Sequence, residues 1–232
     1  MFKDNHKIDN YFLNLYFSYF KKNVLNLDIL LAFISATTLL AFFPGPDNIY
    51  VLTQSLVNGK KYGLATVAGL ISGCLVHTTL LAFGVSALIK ANDYLFLGIK
   101  IFGALYLFYI AYKVFKSDGS LILGGDNAPK KSLFSLFKQG FIMNVLNPKV
   151  ALFFLAFFPG FLFSNTLNTI TQFYVLGVLF MVVSFVVFSI IAILAGSISS
   201  YIIKNEKVGY IFKWLQIVVF VGLGIYILLS DK

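Results

Sequence analysis

Residues 39–54 read LLAFFPGPDNIYVLTQ, an apolar run broken by Pro44-Gly45-Pro46 and followed at once by Asp47 and Asn48. A proline ring removes a backbone donor and clashes with the preceding turn, so a helix entering this stretch must stop and restart. The surrounding chain is 59% hydrophobic and 12% charged, with a mean hydropathy of +0.88, the composition of several membrane spans rather than of a water-soluble domain. In a bilayer the freed backbone groups must find partners in protein or in cavity water. A carboxylate at the centre of a membrane helix costs about 2.5–3.5 kcal/mol on the insertion scale. Asp47 is therefore expected to face a cavity, a partner or a substrate.

A second break has the same look. Residues 140–154, GFIMNVLNPKVALFF, interrupt an apolar run with Asn147-Pro148-Lys149. Aligning Pro46 with Pro148 gives an offset of 102 residues and sets Asp47 opposite Lys149. Apolar segments fall at about 28–56, 63–89, 94–115, 133–163, 170–200 and 208–229. The reading is an all-α membrane protein of six transmembrane helices, the first and fourth broken. Residues 28–115 form one three-helix repeat and 133–232 a second, joined by a cytoplasmic linker at 116–132. Three spans per half force the second half to be inverted, and matched broken helices in inverted repeats point to a transport site near the midplane.

The net charge of +9 is carried by 18 scattered lysines, which fits positive charge flanking membrane spans and not a nucleic-acid surface. With the N-terminus outward, the inner loops hold ten lysines against seven outside, or ten against three without the tail, Lys90 and Lys100 being counted outside. Both termini are thus expected on the outer face. Residues 1–27 form a tail in which 11–20, YFLNLYFSYF, carry six aromatics. An amphipathic helix lying in the interface and an extension foreign to the fold are both open readings. Cys74 is alone, so no intramolecular disulfide and no thiolate metal site is expected.

Pro44, Gly45, Pro46 and Pro148 make the helix breaks; Asp47, Asn48, Asn144, Asn147 and Lys149 are the candidates for substrate binding or coupling. Asp47 can hold a substrate ammonium, carry a proton, or only pair with Lys149. The three asparagines can bind substrate or satisfy backbone freed by the prolines. Ala65, Gly69, Gly73 and His77 recur every four residues; the small ones permit close helix packing, and His77 is either a proton relay or an interhelical polar contact. No catalytic set, metal cluster or phosphate loop is evident, so neither an enzyme nor a cofactor is expected.

The stretches FFPGPDNIYVLTQSLVNGKKYGLATVAGLISGCLVH (42–77), LGIKIFGALYLFYIAYKVF (97–115) and GFIMNVLNPKVALFFLAFFPGF (140–161) resemble the lysine-exporter superfamily of bacterial amino-acid exporters (LysE/RhtB). The Pro-Gly-Pro-Asp-Asn form is similar to the homoserine/threonine-exporter branch, while the tail departs from the family pattern. The resemblance implies a multi-pass protein of the bacterial cytoplasmic (inner) membrane, without cofactor. It implies secondary, proton-coupled export of neutral amino acids of the threonine/homoserine class, with a homo-oligomer left open. Export of cations or other small metabolites, and less so a membrane-embedded enzyme, are the alternatives.

Overall fold

The computed structural model describes residues 25–42, 45–87, 93–117, 131–198 and 207–229, with Asp93, Phe96, Pro148, Lys149, Lys207 and Val208 as backbone only. The amphipathic stretch of the tail, Pro44 and most of the 116–132 linker lie outside these residues. Among the described residues every regular element is helical: α1 (Leu27–Phe42), α2 (Pro46–Asn58), α3 (Lys60–Leu80), α4 (Asp93–Lys116), α5 (Leu133–Val145), α6 (Pro148–Phe157), α7 (Thr169–Ile193) and α8 (Lys207–Leu229). A π-helical turn, Leu81–Val85, extends α3, and a 3-10 turn, Phe158–Phe161, extends α6 around Pro159.

Local chemistry sets the boundaries. The Asn26 side chain accepts from the backbone N–H groups of Asp28 and Ile29 at 3.1 and 3.3 Å, and so caps α1. Ser132 caps α5 by accepting from Ser135 N–H at 3.2 Å, and Asn168 caps α7 by accepting from Thr171 N–H at 2.9 Å. The α2–α3 hairpin turns on Gly59, whose φ of 98° suits glycine and strains other residues. Pro46 and Pro148 each stand at the first position of a helix, where the missing N–H costs nothing.

Among the described residues, four helices are long and apolar enough to cross a membrane: Lys60–Val85, Leu97–Lys116, Thr169–Ile193 and Gly209–Leu229. Two pairs qualify only together, Leu27–Phe42 with Pro46–Asn58 bent by 58°, and Leu133–Val145 with Val150–Phe161 bent by 53°. The outer surface is apolar, with Leu80 66%, Phe134 74% and Val218 64% exposed. Such a surface calls for a hydrocarbon solvent.

α3 packs most closely on α5. A Cβ on Gly69 would strike the Phe137 carbonyl, and one on Gly140 the Thr66 carbonyl, so the two helices touch backbone to backbone. Gly73 faces Asn144 in the next turn, which shows that α3 and α5 run parallel. The Gly69/Gly73 stripe is thus a packing surface. By contrast, a Cβ on Gly196 would meet nothing within 4 Å among the described residues. α1 lies along α7, also in parallel: Phe33 belongs to one apolar cluster with Phe173 and Leu176, and Ala41, further along α1, to another with Val187 and Ile191. An aromatic core joins α1 to the end of α6, with Phe33 ring centroids 5.2, 5.3 and 5.4 Å from Phe157, Phe158 and Phe161.

Lys213 donates to the Ser117 carbonyl at 2.6 Å, which puts the start of α8 beside the end of α4. Lys113, Lys116 and Lys213 each lie over an aromatic ring at that end. One expectation needs correction. Lys100, counted among the outer loop charges, is a buried residue inside α4 and belongs to no loop.

Candidate functional site

The two interruptions restart their helices in the same way. Ile49 N–H bonds to the Gly45 carbonyl at 2.9 Å, and Ala151 N–H bonds to the Asn147 carbonyl at 3.1 Å. Both donors and both acceptors are separated by the same 102-residue offset. Gly45 is fully extended (φ −139°, ψ 174°), so α2 begins abruptly and its first N–H groups have no acceptor within the helix.

Between the interruptions lies a cavity of about 120 Å³. Its polar lining comes from Asp47, Asn48, Asn144 and Asn147, with Ser184 added from α7. α3 contributes Leu70, Ile71 and Cys74, and α7 contributes Phe180, Ser184 and Phe188. Ile110 of α4 and Phe220 of α8 face it, and Leu40, Val150 and Phe153 complete the wall. A single water needs only about 10–15 Å³ of such space, so the cavity has room for several waters or one small organic molecule.

The polar residues are tied into the fold by specific contacts. Asn147 Nδ2 donates to Asp47 Oδ2 at 3.5 Å, a long bond that joins the two interruptions directly. Asn48 Nδ2 donates to the Ala41 carbonyl at 2.8 Å, satisfying a backbone group released where α1 ends. Of the two roles open to Asn48, the structural one therefore has a visible partner. Asn144 Nδ2 meets Cys74 Sγ at 3.6 Å, and its Oδ1 is buried with no hydrogen-bond partner among the described residues. Ser184 Oγ is buried and unpartnered in the same sense.

His77 is buried beside the cavity and does not line it. A carbonyl only accepts, so His77 Nε2–H donates to Asn144 C=O at 3.0 Å, and the ring packs 5.5 Å from that of Phe154. Pro148 and Lys149 occupy the first turn of α6, next to Asn147; their side chains lie outside the described residues. Sequence reasoning missed Ser184 and the phenylalanine wall, because one hydroxyl in a uniformly apolar helix carries no periodic signal. It also missed Gln172, whose amide holds the loop before α7: Oε1 accepts from Phe163 and Ser164 N–H at 2.8 and 2.9 Å, and Nε2 donates to the Ser164 and Leu167 carbonyls at 2.9 and 2.8 Å.

A helical membrane protein, with a partly polar cavity lined by residues of two sharply bent helix pairs, is the class these features define. Within that class the chain belongs to the LysE type translocator family, whose family model matches residues 38–231. It is 32% identical over 176 residues to the homoserine/homoserine lactone efflux protein of Salmonella typhimurium, covering 76% of this chain and 84% of that protein. To the leucine efflux protein of Klebsiella pneumoniae it is 27% identical over 192 residues, covering 83% and 91%. The membrane protein YrhP of Bacillus subtilis is 28% identical over 204 residues, covering 84% and 96%. No solved structure matches the chain.

Proposed function

We propose that this protein is a secondary active exporter of neutral amino acids or close derivatives, the class that includes threonine and homoserine, driven by the proton gradient across the bacterial cytoplasmic membrane. The observation that carries this reading is the cavity lined by residues of both interruptions, Asp47 among them. The names of the relatives, leucine efflux and homoserine/homoserine lactone efflux, support the same substrate class.

In this reading the two halves are a 3+3 inverted repeat. The identical restart bonds at a 102-residue offset support it, as does the exchange of partners, α5 lying along α3 and α1 along α7. The cavity lining supports it too, since α3 is answered by α7 and Ile110 of α4 by Phe220 of α8. Asp47 binds the substrate ammonium. Lys149, in the first turn of α6, answers the substrate carboxylate or Asp47 itself, and the positive ends of α2 and α6 favour the anionic group. Opening that pairing on substrate binding gives a means of coupling.

Lysines at the ends of α4 and the starts of α3, α5 and α8 are inner-face charges in this reading, with both termini outside. Amino-acid efflux from cells expressing the chain, compared with the Asp47→Asn variant at equal membrane level, is the test. Unchanged efflux in the variant would remove Asp47 from the site.

A further inference from the structure

We infer that the end of the α4–α8 pair carrying Lys113, Lys116 and Lys213 is a binding surface for an anionic phospholipid, whose phosphate braces the two helices together. Lys113 and Lys116 lie in the last turn of α4, and Lys213 stands in the second turn of α8. Lys213 Nζ reaches across to the Ser117 carbonyl at 2.6 Å and keeps further N–H donors for a ligand. Each ammonium group lies over a ring face, at 5.2 Å from the Tyr109 centroid for Lys113, 5.2 Å from Tyr112 for Lys116 and 5.7 Å from Phe115 for Lys213. A ring face holds a cation in place but does not neutralise it. Among the described side chains the acids are Asp28, in the first turn of α1, and Asp47, in the cavity lining, and neither belongs to this end. With the flanking chain included, residues 113–118 and 204–213 hold five lysines against Asp118 and Glu206, a net +3.

The aromatic residues at the same end select the occupant. Phe115 meets Trp214 edge-on at 6.1 Å, and Trp214 meets Tyr210 at 6.2 Å, so one strip of rings crosses from α4 to α8. These rings are open, Phe115 being 53% and Trp214 41% exposed. Exposed rings beside lysines at the end of a membrane span sit at the headgroup level, half in hydrocarbon and half in water. A soluble anion would engage the lysines and leave the rings bare. An anionic phospholipid engages both, with its phosphate on the ammonium groups and its acyl chains along the rings. A zwitterionic lipid brings its own cation and gains little from the lysines. The contact bears on the site as well, because α4 and α8 also supply Ile110 and Phe220 to the cavity wall.

Trp214 is the one tryptophan of the chain and gives this end its own reporter. The purified full chain is placed in phosphatidylcholine vesicles with rising fractions of a lipid brominated on its acyl chains, either phosphatidylglycerol or phosphatidylcholine, and quenching of Trp214 fluorescence is read. A preference for phosphatidylglycerol of at least about fivefold is expected, the effect of one lysine near a membrane surface, and it weakens as salt is raised. The double variant Lys113→Gln/Lys116→Gln leaves the Lys213–Ser117 bond in place and is expected to bring the preference to within about twofold of unity, whereas arginine at both positions keeps it. Because the ratio of two lipids is read, a smaller folded fraction does not mimic the loss. Phosphatidylglycerol added in detergent is expected to raise the unfolding temperature of the unmodified chain more than phosphatidylcholine does, and to lose that advantage in the glutamine variant. Equal quenching by the two lipids, or a preference kept in the glutamine variant, overturns the inference. Quenching by neither lipid, with Trp214 emission already blue-shifted, gives the surface to a second copy of this chain and overturns it too. A lipid preference without the rise in unfolding temperature overturns the bracing role.

Discussion

His77 Nε2–H donates to the backbone carbonyl of Asn144 at 3.0 Å, tying the middle of the bundle to the last turn of α5, where that helix gives way. The same carbonyl accepts the Asn147 N–H at 3.1 Å, so one oxygen anchors both the interruption and its neighbour helix. The contact seen for His77 is thus one between neighbouring helices.

His77→Gln, which retains a donor at similar reach, is expected to keep most of the stability. His77→Leu is expected to lose about 1 kcal/mol, the usual net worth of one hydrogen bond. Thermal unfolding in detergent checks this. The pH profile of transport separates holding from proton relay: it keeps its shape in His77→Gln if His77 only holds, and flattens or shifts if His77 carries protons.

Asp47 and Asn147 stand 100 residues apart and meet across the two interruptions. Asp47→Asn retains the shape and removes the charge, and Lys149→Met removes the cation from the first turn of α6. Each is expected to cut efflux at least about tenfold with membrane level unchanged, since a charge kept in a membrane interior is kept for function. Near-normal efflux in both variants would strip these two residues of their assigned roles.

The interruptions were legible because proline acts locally, through its own ring and missing donor, so Pro46 and Pro148 announce where α2 and α6 begin. Asp47, Asn144 and Asn147 were legible for a related reason, polarity being costly in an apolar run. What stayed hidden depends on helices meeting across the bundle. Phe33 gives no hint that it packs on Phe157 and Phe161, and Ser184 and Phe188 look like any other residues of an all-round apolar α7. Lys100, inside the 94–115 segment, entered the outer tally because a lysine in a membrane segment was assigned to the nearer face; its burial within α4 takes it out of that tally.

Gly69 and Gly222 make a matched pair of tests. A Cβ on Gly69 would run into the Phe137 carbonyl, which is backbone and cannot swing away, whereas nothing lies within 4 Å of one on Gly222 among the described residues. Gly69→Ala is expected to destabilise by about 1–3 kcal/mol, the cost of overpacking. Gly222→Ala is expected to be neutral or to stabilise by up to about 1 kcal/mol through helix propensity. Gly73→Ala is expected to destabilise too, since its Cβ would lie 2.7 Å from Asn144 Oδ1 and 2.8 Å from Asn144 Cβ, and the latter moves only with the α5 backbone. Its signature is altered transport with a lowered unfolding temperature.

Gln172 carries the strongest stability prediction, because one buried amide serves four backbone groups of the loop between α6 and α7. Gln172→Leu strands the Phe163 and Ser164 N–H groups and leaves the Ser164 and Leu167 carbonyls without their amide donor. At about 1–3 kcal/mol for each buried donor left unmade, the two N–H groups alone set an expected loss of roughly 2–6 kcal/mol. Gln172→Glu keeps an acceptor for both N–H groups but sets a carboxylate against two carbonyls, so it is expected to be destabilised as well. Since Asn26 N–H donates to the Phe163 carbonyl at 2.8 Å, loosening this loop also loosens the start of α1. Hydrogen exchange reads both consequences: faster exchange at Phe163, Ser164 and Asn26 in Gln172→Leu, with α3 and α5 unaffected, is the expected pattern. Exchange unchanged at Asn26 would show that α1 is held by its phenylalanine packing and does not depend on the loop.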